Sequence, residues 1–264
     1  MSWIDLNADM GEGFGPWRMG EDEALLDVVS SANVACGFHA GDPAIMDQVV
    51  RAAAARGVDV GAHVGFPDRQ GFGRRPMQVD TPELASMVVY QLGALAGIAR
   101  RAGCRMTHMS FHGALGNMAA ADASLAAPLV RAVAEFDPAL TVLTSASRAI
   151  EDAAASAGLR TAVCFLADRA YGDDGLLVPR KVPGSVIGDE DEVMARVMRL
   201  LTEGTVTTHS GRALPMQAAS ILLHGDTPGA VALAQAIRTA AERCGARIAP
   251  LSRREAPADP ALAT

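Results

Sequence analysis

Four histidines in this chain stand where an apolar run opens into glycine or a turn. His39 lies in NVACGFHAGDP, His63 in GAHVGFPD, His112 in SFHGAL and His224 in HGDTP. Imidazole titrates between pH 5 and 8 and is the commonest metal ligand. An acid belongs with them, because Ile4-Asp5-Leu6-Asn7-Ala8-Asp9 alternates and puts Asp5, Asn7 and Asp9 on one face of a strand. One carboxylate and two imidazoles, Asp9 with His63 and His112, form a divalent-metal set with open positions for water or substrate. The same three also form an acid/base cluster without metal. Spacing alone leaves both readings open. His39, between Gly37 and Gly41, and His224, before Gly225-Asp226, are further acid/base candidates.

Around these lie groups suited to holding a small polar substrate: Asn7, Glu12, Arg74, Arg75, Asp168, Arg169, Arg180 and Asp226. Arginine forks grip carboxylates and phosphates through paired hydrogen bonds. Each feature has a plainer explanation beside it. Arg74-Arg75 reads as a solvated pair, Asp42 and Asp226 as helix caps, and MGEGFG as a Gly-rich turn. Neither a G-x-G-x-x-G nor a G-x-x-x-x-G-K-[ST] phosphate loop occurs.

Positioning such groups requires strand ends that face one way. Strands are expected at 3–8, 32–36, 58–62, 106–111, 140–144, 161–166 and 220–223. Helices are expected at 43–56, 81–101, 123–135, 147–156, 190–201 and 228–244. Asp42-Pro43 and Thr81-Pro82-Glu83 supply start signals, and Gly57 and Gly103 supply stops. Strands alternating with helices mean parallel pairing with right-handed crossovers, in a doubly wound sheet or a closed barrel. Ligands gather at one switch point of an open sheet but around the whole rim of a barrel. Here polar residues follow nearly every strand, so the expected fold is α/β, a TIM-like β/α barrel of about seven strands. The polar face of the first strand then lines the lumen; the alternative is an edge strand facing water. A single domain is expected over 1–251, with an excursion at 172–189, a hairpin at 204–217 and a frayed tail at 252–264.

Composition excludes several classes. The chain has 264 residues and a net charge of −7, with no stripe of Lys and Arg to neutralise phosphates, so no nucleic-acid partner is expected. The four cysteines form no CxxC, which points to a reduced, cytoplasmic protein. The first residues lack the basic and apolar regions of a signal peptide. Glycines and charges interrupt every long apolar run, so no membrane partner is expected.

In order along nearly the whole chain, DLNADMGEGFG, NVACGFHAGDP, GAH-GFPD with GFGRR, HGAL-N, ADRAY with LVPR, and HGDTPGAV resemble the LamB/YcsF family. The resemblance implies a barrel similar to that of glycoside hydrolases and sugar deacetylases. It also implies ATP-dependent opening of 5-oxoproline to glutamate, carried out jointly with two other 5-oxoprolinase subunits. ATP is thus implied as a bound nucleotide by family likeness, without a phosphate-binding motif. The chain departs from the family pattern at Ser110, where a lysine is usual, at Gly116 for tyrosine, at Cys164 for glutamate and at Val64 for proline. Losing both members of an ion pair is tolerable where losing one strands a buried charge, so Ser110 and Cys164 are expected to be neighbours. Two alternatives stay open: a metal-dependent amidase or deacetylase that needs no ATP, and a non-catalytic lactam-binding subunit. The oligomeric state, a homo-oligomer included, is not fixed by the sequence.

Overall fold

The first strand, β1 (Trp3–Met10), is buried from its second residue onward although its polar residues alternate with apolar ones. An edge strand facing water cannot have that pattern; a strand lining a closed, filled barrel can. The computed structural model, which describes residues 3–227 and 229–254, shows this closure. The further strands are β2 (Ser31–Ala35), β3 (Asp59–Val64), β4 (Met106–Phe111), β5 (Thr141–Thr144), β6 (Arg160–Leu166), β7 (Thr205–Thr207), β8 (Ala213–Pro215), β9 (Ser220–His224) and β10 (Arg247–Ile248). β1 pairs in parallel with β2 on one side and β9 on the other, and β9 pairs with β6, closing the ring β1-β2-β3-β4-β5-β6-β9. β7 and β8 form the expected separate hairpin, and β10 extends β1 at its start.

The helices are α1 (Asp22–Leu26), α2 (Pro43–Arg56), α3 (Thr81–Arg101), α4 (Gly113–Ala121), α5 (Ala123–Phe136), α6 (Arg148–Ser156), α7 (Glu190–Glu203) and α8 (Ala230–Arg243). Asp42 caps α2 by accepting from the amides of Ala44 and Ile45, and Gly57 ends it in the left-handed region. α1 and α4 go beyond the expected helices. α1 is only five residues long, and α4 begins on Gly113 and contains Gly116, both poor helix signals. Pro228, in the expected start of the last helix, lies outside the described residues. α3, glycines included, is by length and mean hydropathy long and apolar enough to cross a bilayer. In the fold its apolar stripe of Leu84, Val88, Leu92, Leu95 and Ala99 is buried, and the helix packs on α5 and β3.

The outward faces of the strands meet these helices in one apolar core. The inward faces are largely polar, and much of that polarity is paired internally. Asp5 accepts hydrogen bonds of 2.6 Å from the hydroxyls of Ser30, Ser31 and Ser220. Burial still wins over these bonds and pushes the Asp5 carboxyl up to about 6. Its folded pKa therefore lies above its unfolded one, so the protonated form stabilises the fold at low pH. That contribution is lost as pH rises from about 4 to about 6, a swing on the order of 3 kcal/mol. Urea denaturation at pH 4.5 and pH 7 is expected to show this decline in the wild type and not in Asp5→Asn. Parallel pH profiles for the two proteins would refute it.

The lower mouth of the barrel is plugged by a turn of 3-10 helix, Leu251–Arg254. Leu251 packs with Leu143 and Ala162, while Ser252 donates from its amide and hydroxyl to Asp59. The expected tail from 252 is thus corrected for 252–254; residues 255–264 lie outside the described residues.

Candidate functional site

The upper mouth collects one group after another as the strands end. Glu12 follows β1, His39 follows β2, His63 lies within β3, and His112 follows β4 at the residue just before α4. All four are buried, and one ligand atom from each lies within 4.8 Å of the others. His39 and His112 stack at 3.8 Å with planes 5° apart, and His63 meets both edge-on.

Hydrogen bonding fixes which nitrogens face inward. Nε2 of His112 lies 2.7 Å from the carbonyl of Phe72. A carbonyl only accepts, so that nitrogen carries the proton and Nδ1 of the neutral ring presents a lone pair. This Nδ1 lies 2.9 Å from Nε2 of His63, whose own Nδ1 is 2.6 Å from Oγ of Ser110. Two arrangements satisfy the chain. In one, Ser110 donates to His63 and His63 donates to His112. In the other, His63 donates to Ser110, and both inward nitrogens offer lone pairs to a shared cation.

The backbone is bent to make this possible. Phe72 holds a φ of 53°, the left-handed region that costs a non-glycine residue energy and is tolerated mostly at functional sites. Gly73, at φ 61°, lets the loop pass where a Cβ would come within 2.7 Å of His39 and 2.8 Å of His112.

Burial, reinforced by the neighbouring imidazoles, holds His39 and His112 well below the ordinary histidine range, so both are neutral near pH 7. Burial, with the nearby Asp9 charge, pushes Glu12 well up. Oε1 of Glu12 and both ring nitrogens of His39 have no hydrogen-bond partner. Buried orphans of this kind are costly unless something fills them. Three imidazoles and one carboxylate are the donor set of a borderline divalent cation such as zinc, and the outward bonds to Ser110 and Phe72 are the kind that orient such ligands. The residues fit a metal.

Beside this cluster stands a second one. Nδ1 of His224 lies 2.7 and 2.9 Å from the two oxygens of Asp168. Burial opposes the imidazolium, but Asp168 outweighs it and raises the His224 pKa. Likewise burial works to raise Asp168, and His224 with Arg180 holds it low. Nε2 of His224 faces the mouth, 3.5 Å from a guanidinium nitrogen of Arg180 and 4.0 Å from Asp9. Asp9 joins the two clusters: it lies 3.4 Å from Nε2 of His63 and accepts from Asn33 at 2.9 Å. Burial acts to raise the Asp9 carboxyl, yet His63, His224 and Asn33 together hold it far below the usual carboxylate range. Arg74 closes the mouth from the opposite wall through a 3.0 Å bond to Asp226.

Several expected roles change. The metal-type set is Glu12, His39, His63 and His112, with Asp9 beside it; Glu12, expected among the substrate-holding groups, points inward from its glycine turn to join the histidines. Arg75 binds Asp68 bidentately and is 63% exposed. It lines an outer cavity of about 650 Å³ with Gly37, Phe38 and Arg69, whose lining holds none of the histidines. Arg169 is buried but spends its guanidinium on the carbonyls of Val178 and Ser185. Asp168 serves His224, and Asp226 serves Arg74. Asn7 lies in the lumen and donates to Asn33 at 3.3 Å. His39, His63, His112, His224, Asp9, Arg74 and Arg180 do gather at one mouth.

Asn33 and the Phe72 carbonyl were missed. Asn33 shares the inward face of β2 with Ala35, so alternation in NVAC held that signal; nothing in the sequence marked a backbone carbonyl. Ser110 and Cys164 both face the lumen, but β5 runs between their strands, with Leu143 paired to Ser110 and to Ala162. Ser110 belongs to His63, whereas Cys164 lies against Ser220 and within electrostatic reach of Asp5. The expected neighbours therefore stand one strand apart on the same lumen face, not on adjacent strands.

Known proteins are similar to this chain over nearly its whole length. The family model of the LamB/YcsF family matches residues 4–256. A protein of Ralstonia nicotianae, named as a 5-oxoprolinase subunit of the A type, is 69% identical, over 94% of this chain and 96% of its own. Its namesake in Pseudomonas syringae pv. tomato is 65% identical, over 94% of this chain and 97% of its own. Among solved structures, the lactam utilization protein from Thermus thermophilus superposes with a TM-score of 0.87 at 40% identity, covering 94% of this chain and 99% of that one. The polysaccharide deacetylase Bc1974 from Bacillus cereus shares the fold, with a TM-score of 0.51 at 15% identity over 97% of this chain and 94% of its own. A family match over nearly the full length, relatives at this identity and a barrel built from the same strand-end blocks make the conclusion direct: the chain belongs to the LamB/YcsF family.

Proposed function

We propose that this chain is the ring-opening subunit of an ATP-dependent 5-oxoprolinase, converting 5-oxo-L-proline to L-glutamate with release of ADP and phosphate. The names of its relatives support an enzyme with further subunits, and the family resemblance supports two of them. Four free cysteines among the described residues fit a reducing, cytoplasmic setting.

The observation that carries the chemistry is the pairing of an acid held charged with a histidine held charged. Asp9 is kept ionised by His63, His224 and Asn33, while Asp168 favours the protonated form of His224. Environments that push two groups in these directions assign base and acid. Asp9 takes the proton of the attacking water at the lactam carbonyl. As the C–N bond breaks, Nε2 of His224 gives its proton to the ring nitrogen, which leaves as the amine of glutamate. Arg180 and Arg74 face the mouth and bind carboxylate or phosphoryl oxygens. An ATP-derived phosphoryl group on the lactam oxygen activates the ring carbon, which brings water attack within reach near pH 7; C–N cleavage then leaves an acyl phosphate of glutamate, and a second water releases its phosphate. Glu12, His39, His63 and His112 would hold a divalent cation, which when bound supplies Lewis acidity toward a carbonyl or phosphoryl oxygen.

The deciding experiment is 5-oxoproline turnover by the chain reconstituted with its two partner subunits. Glutamate is expected in step with ADP, and His112→Ala is expected to lose at least about 10²-fold in rate. A wild-type complex that releases no glutamate rejects the reading. Turnover without ATP and partners would instead establish the amidase or deacetylase alternative, which the metal-type donor set favours.

A further inference from the structure

Asp168 and Arg169 are adjacent, yet their side chains leave for different targets. Asp168 binds Nδ1 of His224. Arg169 donates from Nε to the carbonyl of Ser185 at 3.0 Å and from Nη2 to that of Val178 at 2.6 Å. These two carbonyls bracket the turn at 179–184, which carries Arg180. The backbone around the bracket is pinned to the same place. Ala170 donates to Ser185, Val178 donates to Ala170, and Ile187 donates to Asp168. Arg196 in turn grips the carbonyl of Arg169 at 2.6 Å. Arg169 is only 3% exposed, and both of its hydrogen-bonding side-chain nitrogens are taken by carbonyls rather than by an acid.

We propose that Arg169 is a positioning residue, which ties Val178 to Ser185 and thereby sets the guanidinium of Arg180 against Nε2 of His224. A single dipeptide thus sets two charged neighbours around the same imidazole: Asp168 directly on Nδ1, and Arg180, through the loop, beside Nε2. The fork geometry of arginine is essential, because one side chain must bridge two carbonyls; lysine reaches one. Arg169 never meets substrate and acts only through Arg180. The inference rests on the reading of His224 and Arg180 as parts of the ring-opening site.

Two measurements on the full chain test it. Hydrogen exchange at the amides of Val178, Ser185 and Ile187 is expected to speed up in Arg169→Met, less so in Arg169→Lys, and to stay unchanged in Arg180→Met. In the reconstituted complex, Arg169→Met is expected to reproduce the KM and kcat changes of Arg180→Met. The double variant is expected to be no worse than Arg180→Met within about twofold, because the two act as one unit. A residue with only a bulk structural role would give losses that multiply and a KM left unchanged. Unaltered exchange in Arg169→Met, or multiplying losses in the double variant, overturns the proposal. If the wild-type complex does not turn over 5-oxoproline, the functional reading falls, and the exchange result alone decides whether Arg169 holds the loop. Arg169→Lys keeps the buried charge, so it serves where Arg169→Met does not fold.

Discussion

Asp168→Asn is expected to cut kcat for ring opening by about 10³-fold, with KM changed by less than about threefold. Asn fills the same space, so the wall of the mouth stays in place. What changes is the proton on His224. The carboxylate accepts from Nδ1 at 2.7 Å and outweighs the burial that would otherwise empty the ring of charge. An amide carries no charge to do this, and turned to present its NH2 it also forces the wrong tautomer. His224 then loses its proton at a lower pH than in the wild type. The alkaline limb of the pH–rate profile is therefore expected to move to lower pH in the variant. Steady-state kinetics of the reconstituted complex, with a melting curve to show that the variant is folded, measure both effects. An unchanged kcat would remove His224 from proton transfer and leave the dyad a purely structural pair.

The parts of this site that were legible in the sequence are those set by periodicity and by strand ends. Alternation in IDLNAD placed Asp5, Asn7 and Asp9 on one face, and burial of that face in a closed barrel is what the polar lumen required. The seven barrel strands were found to within a few residues because each carries apolar residues for the helix-covered outer face and ends at a turn signal. The histidines were found because each ends such a run beside a glycine or a turn. What was not legible depends on loops returning from a distance. Arg74 and Arg75 are identical in type and adjacent, yet one reaches Asp226 across the mouth and the other folds back on Asp68. Arg169 and Arg180 looked equivalent, and only the path of the excursion makes one a clamp and the other part of the mouth. The carbonyl of Phe72 depends on one left-handed residue, a conformation for which a phenylalanine gives no advance notice. Glu12 reads as a substrate-binding candidate in a glycine turn, and only the closed barrel places it within 3.5 Å of His39, among the metal-type ligands.

The same Glu12 and His39 give the second large effect, a loss of divalent-cation binding. Zn²⁺ added to the wild-type chain alone, without substrate or partners, is expected to raise the thermal midpoint by roughly 5–10 °C at a hundredfold excess over Kd. His39→Ala and Glu12→Gln are each expected to abolish that rise, and metal analysis after dialysis should show no zinc retained by either. Ligands must be deprotonated to bind. Burial already keeps His39 and His112 neutral, so little proton release is expected from these two rings on binding at pH 7. Ser110→Ala tests the outer bond separately. Removing the acceptor for Nδ1 of His63 is expected to weaken Zn²⁺ about 10–100-fold without abolishing it. Stabilisation that survives His39→Ala places the ion elsewhere. Absence of any Zn²⁺ or Mn²⁺ effect on the wild type selects the other arrangement of the same atoms, in which Ser110 donates to His63, His63 to His112 and His112 to Phe72. The cluster would then be a proton-sharing chain, and the unpartnered nitrogens of His39 would be left for substrate to satisfy.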